Sequence, residues 1–389
     1  MLEQEAKRLV VLAGKELVSS GLIARTWGNV SCRVDQHTFA VTPSGRAYET
    51  LTEEEIVICK VEDATYEGDV KPSSEKGIHA LLYRSNPDIK FVIHTHQTYA
   101  SAVSTFDIND MPVAEYPLLG SYVPIAKYGL PGTKPLKKNI GIALTGLPGH
   151  AIIMAHHGAL MFGSSYEETF EAAKQLEAAC LDFIQKKYLA LSEASSYEEE
   201  AFYQHYLSKS IPNAEKLSKG TFSEGYSIRT TDGLIFYGDS EIKYLPSDSN
   251  LPKEILIHFE IFRQRKDINY ILSANDLCLS AAAGAKNTLR PLLDDFAQIV
   301  GLSSKCSKSS SPAVIVRTLH GRLGVLVPRH GALCCAATLS DAQAVAMVMK
   351  KNAFAQISSQ LFGGAKPLSL LDCKLMHFVY TKSYSKKSK

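Results

Sequence analysis

The feature that most constrains the fold is an internal repeat. The segment EKGIHALLYRSNPDIKFVIHTHQTYASAVS, starting at Glu75, shares Glu, Ile-His, Tyr/Phe-Arg, Asp-Ile and a following apolar run with EILIHFEIFRQRKDINYILSANDLCLSAAA, starting at Glu254, at a constant offset of 179 residues. Farther on, HHGALMFGSSYEETFEAAKQLEAA from His156 is answered by RHGALCCAATLSDAQAVAMVMKKN from Arg329 at an offset of 173. Even the segments that close each half agree, YLSKSI at Tyr206 with YTKSYS at Tyr380. An insertion or deletion of a few residues between the two blocks accounts for the changed offset. The chain of 389 residues therefore reads as a tandem duplication. Its halves are residues 1–212 and 213–389, divided after the charged stretch ending near Lys219, where Pro212 and Gly220 end a helix and begin a linker.

Each half reads alike. An opening helix precedes short strands such as NVSCRV and HTFAVTP, then come a helix from Glu75 to Ser85, the strand KFVIHTH, a helix from Thr98, and the strand HAIIMAHHG leading into a helix from Ser165. Short neighbouring strands predict antiparallel pairing, and the later helices must cover the sheet faces. Hydrophobic residues make up 45% of the chain, enough to bury a core in each half. The net charge of +2 gives no reason to expect nucleic acid, so a small molecule is the expected partner. The first residues carry acids and helical apolar spacing, which predicts a folded helix rather than a signal peptide. No stretch reaches the roughly 18–20 uncharged apolar residues of a membrane span. The eight scattered Cys predict reduced, buried thiols and a cytoplasmic location.

The chemistry concentrates in the first half. In a strand, residues i and i+2 project from one face, so His94 and His96 can aim ring nitrogens at one ion. That spacing suits zinc, although two ligands do not make a site. IIMAHHGAL supplies a third candidate, and a regular strand would put His156 and His157 on opposite faces, so at most one joins the pair. Glu75 opens an apolar-periodic helix, where a carboxylate is a helix cap, a ligand or a base. TWGNVS with Gly28 and Asn29, TPSG with Ser44 and Gly45, and KPSSE with Ser73 and Ser74 are turn signals that also suit close backbone approach to an anion.

In order, GNVS, TPSG, KPSSE, HTHQTYASA and HHGAL resemble the motif series of the class II aldolase/adducin family. The resemblance implies two tandem three-layer αβα domains, each around a largely antiparallel sheet. It implies a divalent metal, usually zinc, held by His94, His96 and His157, with Glu75 as acid/base and Asn29, Ser44, Gly45, Ser73 and Ser74 as the phosphate cradle. Tyr116 falls where fuculose-phosphate aldolases carry a catalytic Tyr presented to a neighbouring subunit. The implied activity is retro-aldol cleavage of a small ketose phosphate to dihydroxyacetone phosphate and an aldehyde. Epimerisation or dehydration of a sugar phosphate is the alternative within the family.

The second half departs from this pattern. At the repeat offsets His94 becomes Ser273 and His96 becomes Asn275, while Glu254 and His330 stand where Glu75 and His157 do. Ser and Asn are poor zinc ligands, so this half is expected to hold no metal. Tyr116 maps onto Asp295. The family's fourfold rings imply a homo-oligomer in which two chains form a pseudo-tetramer with half its sites active. A non-catalytic, adducin-like interaction module is the reading from another class, supported by the degenerate half and the basic tail TKSYSKKSK.

Overall fold

The computed structural model describes residues 1–23 and 27–383. Thr26, at the head of the TWGNVS motif, and the basic tail beyond Ser383 lie outside the described residues. The chain forms two compact units, Met1–Lys187 and Tyr188–Lys389.

The first unit runs α1 (Glu3–Ser19), β1 (Gly28–Arg33), β2 (Thr38–Val41), β3 (Val57–Lys60), α2 (Lys76–Ser85), β4 (Phe91–Thr95), α3 (Thr98–Val103), β5 (Asp110–Pro112), β6 (Tyr122–Ala126), α4 (Lys134–Ala143), β7 (Ala151–Met154), β8 (Gly158–Gly163) and α5 (Tyr166–Ser192), whose last turn enters the second unit. Its strands form one sheet in the order β3-β2-β1-β4-β8-β7-β6-β5. Every pairing is antiparallel except β6 with β7. Alternation along the strands sorts the side chains into two faces. Val92, Ile152, Leu160 and Phe162 meet Ile78 and Leu82 of α2 and Leu136 and Ile140 of α4 on one face. On the other face α1 covers β1 and β2, and α3 lies against β7 and β8. The result is the expected three-layer αβα domain around a largely antiparallel sheet.

The second unit continues with α6 (Glu199–Ser210), β9 (Gly225–Arg229), β10 (Leu234–Tyr237), β11 (Glu241–Tyr244), α7 (Lys253–Gln264), β12 (Tyr270–Ala274), α8 (Leu277–Gly284), α9 (Asp294–Ile299), β13 (Lys305–Cys306), α10 (Pro312–Leu319), β14 (Gly324–Val327), β15 (Gly331–Ala336), α11 (Leu339–Ser359) and α12 (Leu370–Ser383). Its sheet, β11-β10-β9-β12-β15-β14-β13, repeats the order of the first without a counterpart of β5. Only β13 and β14 pair in parallel. Ile255, Ile261, Ile315 and Leu319 of α7 and α10 build the core on one face, and α8 and α11 pack on the other.

One expectation is corrected. HAIIMAHHG is not a single strand running into a helix: β7 stops at Met154, the chain turns through Ala155–His157, and β8 returns antiparallel beside it. His156 makes the reversal possible by taking the left-handed conformation, φ 60°. Arg329 does the same at the matching place, φ 67°. No helix among the described residues is long and apolar enough to cross a membrane. All eight Cys are free, and all but Cys306 are buried.

Candidate metal centre

Three structural devices bring the first-unit residues together. β4 delivers His94 on the face that also carries Val92, the face covered by α2. In register, His94 sits opposite Asn29 of β1 and Leu160 of β8. The turn after β7 swings His157 back toward the end of β4, with its N–H donating to the Met154 carbonyl at 3.0 Å. Two glycines permit the crowding. A Cβ on Gly28, φ 118°, would run into the His94 carbonyl, and one on Gly158 would strike the carbonyl of Thr95.

The rings converge on a common point. His94 Nε2 lies 3.0 Å from His96 Nε2 and 3.1 Å from His157 Nε2. His94 Nδ1–H donates to the Ala159 carbonyl at 2.8 Å, which leaves the ring's lone pair on Nε2. His94 and His157 are buried, and His96 is half-buried. Three imidazole groups converging within 4.8 Å of one another fit a divalent cation, which neutral imidazole nitrogens ligate. Among the described residues no other group of His, Cys and acidic side chains converges in this way.

Glu75 closes the site. It is the residue just before α2, 7% exposed, with Oε1 3.1 Å from His157 Nε2 and Oε2 3.3 Å from His94 Nε2. Asn29 Nδ2 donates to Oε2 at 2.9 Å. Burial alone pushes the carboxyl upward, but His94 and His157 beside it, with hydrogen bonds from His157 and Asn29, hold it well below the usual glutamate range. Burial drives His94 well below the ordinary histidine range, against the pull of Glu75.

The TPSG and KPSSE turns lie side by side. Ser44 N–H donates to the Lys71 carbonyl at 2.8 Å and Ser73 N–H to the Thr42 carbonyl at 3.0 Å, around a bridge between Pro43 and Pro72. Ser73 is buried and receives the Glu75 N–H on Oγ at 3.2 Å, whereas Ser74 and Gly45 are exposed. Tyr116 takes another partner. Its hydroxyl donates to Asp182 Oδ2 at 2.6 Å beside a cavity of about 250 Å³, and burial together with that carboxylate pushes it up to about 12.

Reading the sequence missed what stands behind Glu75. His79, fully buried, contacts Asn29 Oδ1 through Nε2 and Ser31 Oγ through Nδ1 at 2.6 Å. Ser31 Oγ in turn lies 2.6 Å from the Tyr83 hydroxyl. The available signal was His79 recurring as His258 at the repeat offset.

The second unit has filled its equivalent position with its own chain. Ser273 Oγ donates to Glu254 Oε1 at 2.5 Å, and Ser223 N–H donates to Oε2 at 2.9 Å. Asn275 Nδ2 donates to the Phe222 carbonyl at 2.8 Å. The Phe222 ring stacks on His330, centroids 4.8 Å apart.

The model of the class II aldolase and adducin N-terminal domain family matches residues 8–183 and again 230–357. The chain belongs to this family. Among its class II aldolase relatives, a 5-deoxy-D-ribulose 1-phosphate aldolase of Bacillus thuringiensis is 32% identical over 48% of this chain and 88% of its own length. A 3-oxo-tetronate 4-phosphate decarboxylase of Haemophilus influenzae is 30% identical over 46% of this chain and 86% of its own. An L-fuculose phosphate aldolase of Escherichia coli is 32% identical over 46% and 81%. A solved L-fuculose 1-phosphate aldolase is 28% identical over 52% of this chain and 94% of its own, with a TM-score of 0.45.

Proposed function

We propose that the first unit is a metal-dependent aldolase that cleaves a small ketose phosphate to dihydroxyacetone phosphate and an aldehyde. The observation that carries the reading is the Glu75 carboxyl group, held by Asn29 within 3.1–3.3 Å of two of three converging histidines. His94, His96 and His157 would hold a divalent metal, for which zinc suits three imidazoles, and the bound ion supplies Lewis acidity at the substrate carbonyl.

In the condensation direction Glu75 takes the proton from the carbon next to the carbonyl. The electron pair of that C–H bond becomes the new C–C bond to the aldehyde, whose oxygen takes up a proton. Cleavage reverses both transfers, so Glu75 returns its proton to carbon. Tyr116 is proposed as the acid for the aldehyde oxygen, at the site of a neighbouring protomer in a homo-oligomer. Its motif and its retained hydroxyl proton support that role. Ser44, Gly45, Ser73 and Ser74 are proposed to cradle the phosphate, and Asn29 joins them through the second hydrogen of its Nδ2. The second unit is proposed as an architectural copy without metal.

The test is release of dihydroxyacetone phosphate from a panel of ketose 1-phosphates by the zinc-loaded chain. No aldol product from any of them sinks the aldolase reading. The decarboxylase relative makes a second reading specific: release of carbon dioxide from a 3-oxo acid phosphate, with no aldehyde, would replace cleavage by decarboxylation.

A further inference from the structure

We infer that His79, together with Ser31 and Tyr83, is a positioning group that holds the Asn29 amide with its nitrogen toward Glu75 and so fixes the Glu75 carboxylate at the histidine cluster. The inference rests on the aldolase reading only where turnover is its readout.

Two periodicities build the device. Glu75, His79 and Tyr83 are spaced four apart and share one side of α2 and its leading residue. Asn29 and Ser31 are spaced two apart and share the face of β1 that α2 covers. The two rows interleave into the series Tyr83, Ser31, His79, Asn29, Glu75, every neighbouring pair within hydrogen-bonding reach. All five are buried. Three polar groups behind the site would cost folding free energy if unpaired, so their presence in a core position calls for the partners they have.

The series has one direction. Asn29 Nδ2 donates to Glu75 Oε2 at 2.9 Å, so the Asn29 atom facing His79 is its carbonyl oxygen, which only accepts. His79 must then carry its proton on Nε2, which leaves Nδ1 to accept from the Ser31 hydroxyl. Ser31 Oγ then accepts from Tyr83, whose hydroxyl burial keeps protonated, well above the ordinary tyrosine range. Every donor points toward Glu75. Without that polarity the Asn29 amide could rotate and set its oxygen against the carboxylate.

The second unit keeps the Ser–His middle of the device and loses the groups on either side of it. Strand register sets Ser227 and Gly225 where Ser31 and Asn29 stand, since Ser273 pairs with Gly225 as His94 pairs with Asn29. Phe262 takes the position of Tyr83. Ser227 Oγ still meets His258 Nδ1 at 2.8 Å, but His258 Nε2 is buried with no hydrogen-bond partner among the described residues. The Ser–His pair thus exists without the amide and phenol exactly where the metal-ligand positions hold Ser273 and Asn275.

The first arm of the test is independent of catalysis. Long-range ¹⁵N–¹H correlation on the histidine-labelled full chain, with the His79 signal assigned by its loss in His79→Gln, should show a neutral ring protonated on Nε2 at pH 7. Protonation on Nδ1 alone, or a doubly protonated ring, overturns the inference whatever the protein catalyses. The second arm compares zinc-loaded His79→Phe and His79→Gln for kcat, KM, metal content and thermal stability. His79→Phe should lose about 10–100-fold in kcat with metal content unchanged. His79→Gln, which still offers an N–H to Asn29, should recover most of that loss. A folded His79→Phe chain with wild-type kcat, or a Gln variant no better than Phe, overturns the positioning role. Should His79→Phe not fold, Ser31→Ala carries the test: it must move the His79 Nδ1 resonance, and an unmoved signal counts against the series. A wild-type chain without aldol turnover but with the Nε2–H tautomer would remove the aldolase reading and leave the hydrogen-bond assignment standing.

Discussion

The two units hold the same backbone with the same fasteners and differ where chemistry would occur. Arg33 at the end of β1 gives Nε–H to the Ile89 carbonyl at 2.8 Å and reaches the carbonyls of Tyr83 and Asn86. Arg229 at the end of β9 gives Nε–H to Ile268 at 3.0 Å and reaches Phe262 and Arg265 at 2.7 Å each. Each guanidinium lies over an aromatic ring, that of Tyr83 at 4.8 Å and that of Phe262 at 4.7 Å. The clamp ties the end of the helix preceding the central strand to the neighbouring strand, and both units need it. The histidine cluster has no such double. His94 and His96 give way to Ser273 and Asn275, Phe222 lies over His330, and Asp295, at the position of Tyr116, is buried in an ion pair with Lys351. Fold and histidine cluster are therefore separable demands on this architecture: Ser273 satisfies Glu254 through a hydrogen bond where His94 stands beside Glu75.

The contrast breaks most visibly at the two glutamates. Glu75→Gln should lower turnover about 10²–10⁴-fold, the usual contribution of a positioned acid/base, whereas Glu254→Gln should leave kcat unchanged; a steady-state assay of both variants decides it. Equal losses would mean that both units do chemistry.

The clamps should behave alike. Arg33→Ala and Arg229→Ala each strip a charged donor from part-buried carbonyls and should cost about 1–3 kcal/mol of stability apiece, read from denaturant unfolding. A large cost in one unit and none in the other would separate the two frameworks.

Acid should also act on both units together. Burial lowers His79 from 6.5 to about 4 and His258 from 6.5 to about 3. In each case the folded chain resists a proton that the unfolded chain accepts, so this stability is present above pH 6.5 and is lost as pH falls toward 4 and 3. Melting temperature should decline over that window, and less steeply in His258→Phe. An unchanged slope in the variant removes His258 from the account. The smallest effect is expected from His330→Ala, which should alter neither turnover nor metal content, since its ring packs against Phe222.

Much of this was legible before any coordinates, because repeats and periodicity report backbone demands directly. The offset of 179 placed β4 beside α2 in both units, and the i, i+2 spacing of His94 and His96 foretold their shared aim. The His156–His157 turn was not legible, because a left-handed non-glycine residue carries no composition signal and Gly158 sits one place later than the reversal. The Arg33 and Arg229 clamps escaped because the segments that follow them, up to Glu75 and Glu254, differ in length, so they do not fall at the offsets of 179 or 173. His79 lies in an apolar-periodic helix, a pattern that does not single it out. Its role depends on Ser31, 48 residues away in sequence, and such a partner is fixed by strand register rather than by local pattern.

The central claim is that this chain carries one metal centre and that it lies in the first unit. Metal content of the purified, zinc-equilibrated full chain should be about one equivalent, fall to none in His94→Ala, and stay at one in His330→Ala, as three converging imidazoles in one unit and one in the other require. Two equivalents in the wild type, or metal persisting at full occupancy in His94→Ala, would contradict the account.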